Sequence, residues 1–92
     1  MSATAYTGSG RTASGKRVRR GMVAADRRVL PLGTKVRLKN AGQYSGVYRV
    51  EDTGGKIRGR KIDIYIPSRR GAKQFGRHTV QVEVLTPQKN RR

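Results

Sequence analysis

Residues 51–66, EDTGGKIRGRKIDIYI, join a glycine-rich turn to a strand whose side chains alternate in character. Within KIDIYI (61–66) every second residue is isoleucine, whereas the positions between them carry Lys61, Asp63 and Tyr65. Successive side chains of a β-strand point to opposite faces of the sheet, so the isoleucines predict the face that packs on the core. Asp63 is therefore expected to point away from the core, on the same face as Lys61 and Tyr65.

Five further segments have the composition or the two-residue period of short strands, and turn-forming residues separate them. They are ATAYT (3–7), GMVAAD (21–26), TKVRLKN (34–40), SGVYRVED (45–52) and TVQVEVL (79–85). One short helix is predicted in SRRGAKQFG (68–76), with Ser68 as its N-cap and Gly76 as its stop. Six short strands and one short helix indicate an all-β, or mostly β, small barrel.

The length of 92 residues suits one small domain with one core, which we assign to residues 1–86. The basic residues 87–92 are predicted to form a disordered tail. Cysteine is absent, so no disulfide stabilises the domain. The chain has no apolar run long enough for a transmembrane segment, and its start, MSATAYTG, lacks the basic and apolar parts of a signal peptide.

The formal net charge of +17 is extreme for a chain of this length and predicts attraction to polyanions. Three classes of ligand have the complementary negative charge: nucleic acid, anionic cell-wall polymers and acidic membrane lipid. The sequence has no helix-turn-helix, zinc-finger spacing or paired-aromatic strand motif, so we expect no specific nucleic-acid recognition.

The chain has only five acidic residues, and three of them, Asp26, Asp52 and Asp63, lie within or at the end of a predicted strand. Two carboxylates that share a site oppose each other's ionisation, so one of them can remain protonated as a general acid. Ordinary structural roles compete with this interpretation. Asp52 precedes a Thr-Gly-Gly turn that it could initiate, and Asp26 precedes two arginines with which it could pair. Glu51, opposite in parity to Asp52, is expected to be a surface ion-pair partner.

The order of several short motifs adds a resemblance to these observations. The segments TAYTGSGRTASGKRV, GMVAADRRVLPLGTKVRL, VEDTGGKIRGRKIDIYIPS and AKQFGRHTVQVEVL follow one another along the chain. Together, from about Ala3 to Leu85, they resemble the three-aspartate (3D) domain of membrane-bound lytic transglycosylase A and the stationary-phase survival proteins. The aspartates for which that family is named match Asp26, Asp52 and Asp63.

The resemblance implies a six-stranded double-psi β-barrel and a lytic transglycosylase activity. Such enzymes cleave the β-1,4 bond between N-acetylmuramic acid and N-acetylglucosamine in peptidoglycan and leave a 1,6-anhydro end. By this resemblance Asp63 is the acid and base, Asp52 is its partner, and Asp26 lines or braces the same groove. The strongly positive surroundings favour ionised carboxylates, so burial or the charge of Asp52 must keep Asp63 protonated.

Substrate-binding roles are predicted for residues around these aspartates, and each has an ordinary structural alternative. The glycines of the turn could approach a sugar chain or form a tight turn, Thr53 could bond the glycan or its own turn, and the tyrosines could stack on sugar or pack at the barrel edge. The candidates are Thr53, Gly54, Gly55, Lys61, Tyr65 and Tyr6. His78 has no partner at metal-ligand spacing, so we predict no metal and no cofactor.

The expected partners are the glycan strands of peptidoglycan, together with anionic cell-wall polymers, and the expected state is a monomer. The substrate implies an extracytoplasmic location. Two other functions remain open at this point: a non-catalytic wall-binding module, because a fold does not settle a function, and a basic nucleic-acid-binding domain.

Overall fold

The computed structural model describes residues 1–8, 10–53 and 57–85. In these residues the chain forms seven strands, one short 3-10 turn at Gly42–Tyr44 and one α-helix, α1, at Arg69–Phe75. The strands are β1 (Ser2–Tyr6), β2 (Met22–Ala25), β3 (Lys35–Lys39), β4 (Gly46–Asp52), β5 (Lys61–Tyr65), β6 (His78–Thr79) and β7 (Gln81–Val84). The predicted mostly β fold with one short helix is therefore confirmed.

The strands form one sheet in the order β6-β1-β5-β2-β4-β3-β7. Its two edge strands, β6 and β7, are separated in the chain by Val80 alone, so one stretch of chain pairs first with β1 and then with β3. This stretch nearly closes the sheet into a barrel. The structure has seven strands instead of the predicted six because the last predicted strand is split at Val80, whose backbone N–H donates to Met1 O at 2.8 Å.

Two of the strand pairs are parallel, β1 with β5 and β2 with β4, and the other pairs are antiparallel. Each parallel pair requires the chain to cross over the barrel between its two strands. This arrangement agrees with the double-psi β-barrel that the resemblance implied. It also places β5 between β1 and β2, in the interior of the sheet.

The core of the barrel contains the side chains that the strand patterns assigned to it. Ile62, Ile64 and Ile66 are at most 2% exposed, and Val36 and Leu38 are buried on β3. Burial of such a side chain stabilises the fold by about 1.5–3 kcal/mol relative to leaving it exposed. The alternation predicted for the last strand is only partly correct, because Val84, on the edge strand β7, is 44% exposed.

Helix α1 begins and ends where its capping residues predict. The Ser68 hydroxyl accepts a hydrogen bond from Gly71 N at 3.0 Å, and Gly76, with φ of 64°, occupies the left-handed region that ends the helix. Phe75 is the buried anchor of this helix. In the part of the chain that the structure describes, no helix has the length and apolar character that a bilayer span requires.

Three sequence predictions lie outside the described residues. They concern Gly54, Gly55 and the tail at 87–92.

Candidate functional site

The sheet register brings Asp52 and Asp63 to the same surface. Ala24 on β2 is paired with Asp63 of β5 on one side and with Asp52 of β4 on the other. Paired residues share a face of the sheet, and neighbouring strands lie about 4.8 Å apart, so the two aspartate backbones are separated by about 10 Å across Ala24. Ala24, which lies between the two aspartates, is itself only 5% exposed.

Asp63 is half-buried and accepts a hydrogen bond from the hydroxyl of Thr4 at 3.0 Å. Thr4 is its register partner on the parallel strand β1. Burial raises the pKa of the Asp63 carboxyl, and the hydrogen bond from Thr4 opposes part of that rise. Of the two causes that the sequence left open for a raised pKa of Asp63, burial is the one that acts.

The raised pKa of Asp63 makes the stability of the domain depend on pH. A carboxyl whose pKa is higher in the folded state contributes stability at low pH, and this contribution is lost as the pH rises through the folded pKa. We therefore expect Asp63→Asn to unfold at a higher temperature than the wild type at neutral pH, and the difference to disappear near pH 3. Thermal melts of both proteins between pH 3 and pH 8 measure this effect, and a difference that grows on acidification would contradict it.

Asp52 anchors a long loop to the barrel. Its Oδ1 atom accepts hydrogen bonds from Ala13 N and from Thr53 N, each at 2.9 Å. The first bond ties the loop between β1 and β2 to the end of β4. Asp52 therefore joins the loop before β2 to the end of β4, at the strand position that faces Asp63 across Ala24.

A pair of tyrosines covers the end of this surface. Tyr6 and Tyr65 face each other across β1 and β5, with ring centroids 5.4 Å apart in an edge-to-face arrangement, and Tyr65 Oη donates to Gly8 O at 2.9 Å. The hydroxyl oxygen of Tyr6 is buried and has no hydrogen-bond partner within residues 1–8, 10–53 and 57–85. Burial, followed by the negative charges of Asp52 and Asp63 and by Tyr65, raises the pKa of Tyr6 to about 12. Tyr6 thus remains a protonated donor close to both aspartates.

Asp26 is buried, and both oxygens of its carboxylate accept hydrogen bonds from within the protein. It forms a bidentate ion pair with Arg28, whose Nε and Nη2 donate at 3.2 Å and 3.0 Å, and it also accepts from the backbone N–H groups of Arg28 and Gly59. The hydrogen bond from the Arg28 side chain, followed by those from Gly59 N and Arg28 N, holds the pKa of Asp26 far below its usual range. These contacts suit the bracing role predicted for Asp26: they fix the loop after β2 against Gly59, whose φ of 72° favours glycine.

The other predicted residues lie around the same edge. Thr53 lines an open cleft of about 330 Å³ together with Ala25, Asp26, Arg27, Arg28, Ile57 and Arg58. Lys61 is exposed at the start of β5, two residues before Asp63 and on the same face. The register therefore places Lys61, Asp63 and Tyr65 in one row, as the alternation predicted.

Glu51 corrects one expectation. Its position suggested an ordinary surface ion pair, but the residue is only 4% exposed. Its Oε2 atom lies 2.9 Å from Lys16 Nζ and 3.9 Å from Arg49 Nε. Burial raises the pKa of Glu51, but the hydrogen bonds from Lys16 and Ser14 and the charges of Lys16 and Arg49 lower it by more. The pKa of Glu51 is therefore lower than its usual value. This acid helps to hold the loop that Asp52 anchors.

Two contributors to the site were missed in the sequence. Thr4, which bonds Asp63, and Ala13, whose backbone N–H bonds Asp52, come from the first 13 residues of the chain. The alternation of ATAYT placed Thr4 and Tyr6 on one face, which was the available signal for Thr4. No signal existed for Ala13, because a backbone donor carries no side-chain signature. Among the described residues, no group of three or more His, Cys, Asp or Glu side chains is arranged to hold a metal ion.

The fold and the site together define a class: a double-psi β-barrel domain with two aspartates and a tyrosine whose hydroxyl is buried on one face of its sheet. The sequence profile of the 3D domain matches residues 21–86, and the chain belongs to that family. It is similar to the cell wall-binding protein YocH of Bacillus subtilis (strain 168), with 40% identity over 92% of this chain and 31% of YocH. It is also similar to the putative cell wall shaping protein YabE of the same organism, with 35% identity over 92% of this chain and 22% of YabE.

Solved structures of MltA from E. coli have the same fold. One aligns with a TM-score of 0.70 and 27% identity, covering 84% of this chain and 27% of MltA. Another, of MltA with bound chitohexaose, aligns with a TM-score of 0.68 and 29% identity over 84% of this chain and 27% of that chain. The chain thus spans less than a third of each of these relatives.

Proposed function

We propose that this domain acts on the bacterial cell wall as a lytic transglycosylase that cleaves the β-1,4 bond between N-acetylmuramic acid and N-acetylglucosamine. The observation that carries the proposal is the environment of Asp63. Its carboxyl is half-buried, its pKa is raised by that burial, and it faces the same surface as Asp52 and Tyr65. A carboxyl with a raised pKa is what a general acid requires.

The proposed reaction uses one carboxyl twice. Protonated Asp63 donates its proton to the glycosidic oxygen while the bond from that oxygen to C1 of N-acetylmuramic acid breaks. The resulting Asp63 carboxylate then takes the proton of the C6 hydroxyl while O6 of the same sugar forms a bond to C1. The products are a free hydroxyl on the leaving sugar and a 1,6-anhydro end, and no water is consumed. Two-carboxylate hydrolases instead use a water or an enzyme nucleophile for the second step.

Tyr6, Asp52 and Asp26 support this chemistry in different ways. The buried Tyr6 hydroxyl, which has no hydrogen-bond partner among the described residues, is assigned the role of a donor to Asp63 once that side chain has become a carboxylate. Asp52 holds the loop that borders the surface, and Asp26 braces the cleft lined by Thr53. Tyr65 and Lys61, in a row with Asp63, contact the glycan strand. The expected location is extracytoplasmic, where peptidoglycan lies.

Tyr6→Phe separates the proposed donor role of the Tyr6 hydroxyl from the packing of the Tyr6 ring. The substitution removes the buried hydroxyl that lacks a partner and keeps the ring against Tyr65, so we expect unchanged or slightly higher thermal stability. Turnover should fall about 10- to 100-fold, the value of one hydrogen bond to a charged group. Melting temperature and initial rate of fragment release measure the two effects. An unchanged rate would contradict a role for the hydroxyl.

A non-catalytic wall-binding module is the second candidate. Two observations favour it: the relative YocH is named a cell wall-binding protein, and this chain covers only 27% of the MltA chain that it resembles. The surface around Asp63 would then bind a glycan strand without cleaving it.

A time course with insoluble peptidoglycan separates the two candidates. After each interval the suspension is centrifuged, and both the soluble sugar fragments and the protein in the pellet are measured. Fragments that accumulate with time support the transglycosylase. Protein that collects in the pellet without any release of fragments supports the binding module.

A further inference from the structure

One group of cations of this domain lies on and just after helix α1, away from the acidic residues. Asp26, Glu51 and Glu83 each form at least one ion pair with Lys or Arg, whereas none of the ion pairs among the described residues includes the cations of α1. The stretch 64–82 contains no acidic residue at all. Its four cations are Arg69, Arg70, Lys73 and Arg77, and all of them are exposed.

The three cations within α1 form a single face. At 100° per residue, Arg69, Lys73 and Arg70 fall within an arc of about 100°, opposite the side that carries the buried Phe75. We name these three residues, with Arg77 just beyond the helix, the basic face. Of the rings near these residues, Phe75 is buried, the exposed ring of His78 packs on it at 4.6 Å, and Tyr44 lies against Gly71 on the other side of the helix.

This arrangement opposes the local stability of the helix. Arg69 and Arg70 occupy the first turn, where the helix dipole disfavours positive charge, and the first turn has no acidic residue. Arg69 and Lys73 are like charges four residues apart, which also destabilises a helix. Only Lys73, in the last turn, suits the dipole. Features that break local rules without a structural gain are commonly functional.

We propose that the basic face is a docking surface for a flexible phosphodiester polymer without bases, such as a polyol-phosphate polymer of the cell wall. Three of its four cations are arginines, whose planar guanidinium matches phosphate oxygens in pairs. None of the four residues of the basic face is aromatic, which disfavours single-stranded nucleic acid, because that ligand binds through aromatic platforms. This surface is separate from the aspartates, and polymer binding there does not require the proposed cleavage.

The fold joins this face to the aspartate surface. Just before α1, Ile66 N donates to Tyr6 O at 2.9 Å, and the Thr7 hydroxyl donates to Pro67 O at 3.2 Å. The helix therefore begins beside the strand ends that carry Tyr6 and Tyr65. A polymer held on the basic face would lie next to a glycan strand held along β5.

The test uses fluorescently labelled poly(glycerol phosphate) and two variants with the same change in charge. In R69Q/R70Q/K73Q we expect affinity to fall roughly tenfold or more, and the slope of log affinity against log salt to become shallower by about 2. The matched control R17Q/R19Q/R20Q also removes three exposed cations, and we expect a much smaller loss. The melting temperature of the first variant should equal or exceed that of the wild type, which shows that the fold survives.

Two outcomes would overturn the proposal. An equal loss in both triple variants would mean that the overall field of the protein attracts the polymer, with no dedicated face. Tighter binding of a single-stranded oligonucleotide of equal phosphate number, lost in the same helix variant, would identify the face as a nucleic-acid surface. Peptidoglycan cleavage measured in parallel distinguishes failure of this proposal from failure of the proposed enzyme activity.

Discussion

Asp63→Asn is expected to lower the release of peptidoglycan fragments by about 10³-fold or more, because one carboxyl supplies both proton transfers of the proposed reaction. The asparagine is nearly isosteric and its side-chain oxygen can still accept the hydrogen bond from Thr4, so the barrel and its glycan surface should persist. Binding to insoluble peptidoglycan should therefore remain close to that of the wild type. Initial rates and co-sedimentation of the same protein preparations measure both quantities.

Glu83→Gln is the matched control for this substitution. It also removes one carboxylate from the chain, but it does so at an exposed position on β7, where the ion pairs to Arg37 and Lys39 are solvent-accessible and contribute little. Its rate of fragment release should be close to that of the wild type. Equal losses in the two variants would mean that charge, and not the chemistry of Asp63, governs the rate.

Ile64→Ala is expected to cost about 2–5 kcal/mol of folding free energy, because it opens a cavity in a fully buried position. Ile64 is 0% exposed and is paired with Ala5 on β1 and with Val23 on β2. The side chain of Ala5 is too small to fill the cavity. A domain of this length has a total stability of about 5–14 kcal/mol, so the variant loses a large share of it. Denaturation by urea measures the loss.

Two milder substitutions serve as comparisons for the stability loss of Ile64→Ala. Ile64→Val should cost only about 0.5–1.5 kcal/mol. Val84→Ala, on the exposed edge strand, should change stability by less than about 0.5 kcal/mol. An Ile64→Ala loss no larger than that of Val84→Ala would show that the centre of β5 is not part of a close-packed core.

The parts of the fold that follow from local patterns were predictable. The isoleucines of β5 share one face, so alternation alone identified its buried side, and a serine and a glycine marked both ends of α1. The division of the last strand at Val80 was not predictable, because it depends on a pairing with Met1 at the opposite end of the sequence. Long-range pairing of this kind leaves no trace in a short window of residues.

The site shows the same limit. Asp52 and Asp63 were identified, but their relation through Ala24 required the register of two strand pairs. Glu51 was expected to be a surface ion-pair partner because its strand parity is opposite to that of Asp52, and it is buried because the loop containing Ser14 and Lys16 covers it. Tyr6 was assigned a role through its ring, whereas its buried hydroxyl is the unusual feature. The relation of the two aspartates, the burial of Glu51 and the buried hydroxyl of Tyr6 all depend on the surrounding structure and not on residue type.

The central claim, that Asp63 cleaves the glycan without water, is tested most directly by the chemistry of the new sugar ends. Peptidoglycan is digested in water that carries a heavy oxygen isotope, and the released fragments are analysed by mass spectrometry. The account predicts 1,6-anhydro ends on N-acetylmuramic acid that contain no heavy oxygen. Reducing ends that carry the heavy isotope would contradict it, because they would require hydrolysis.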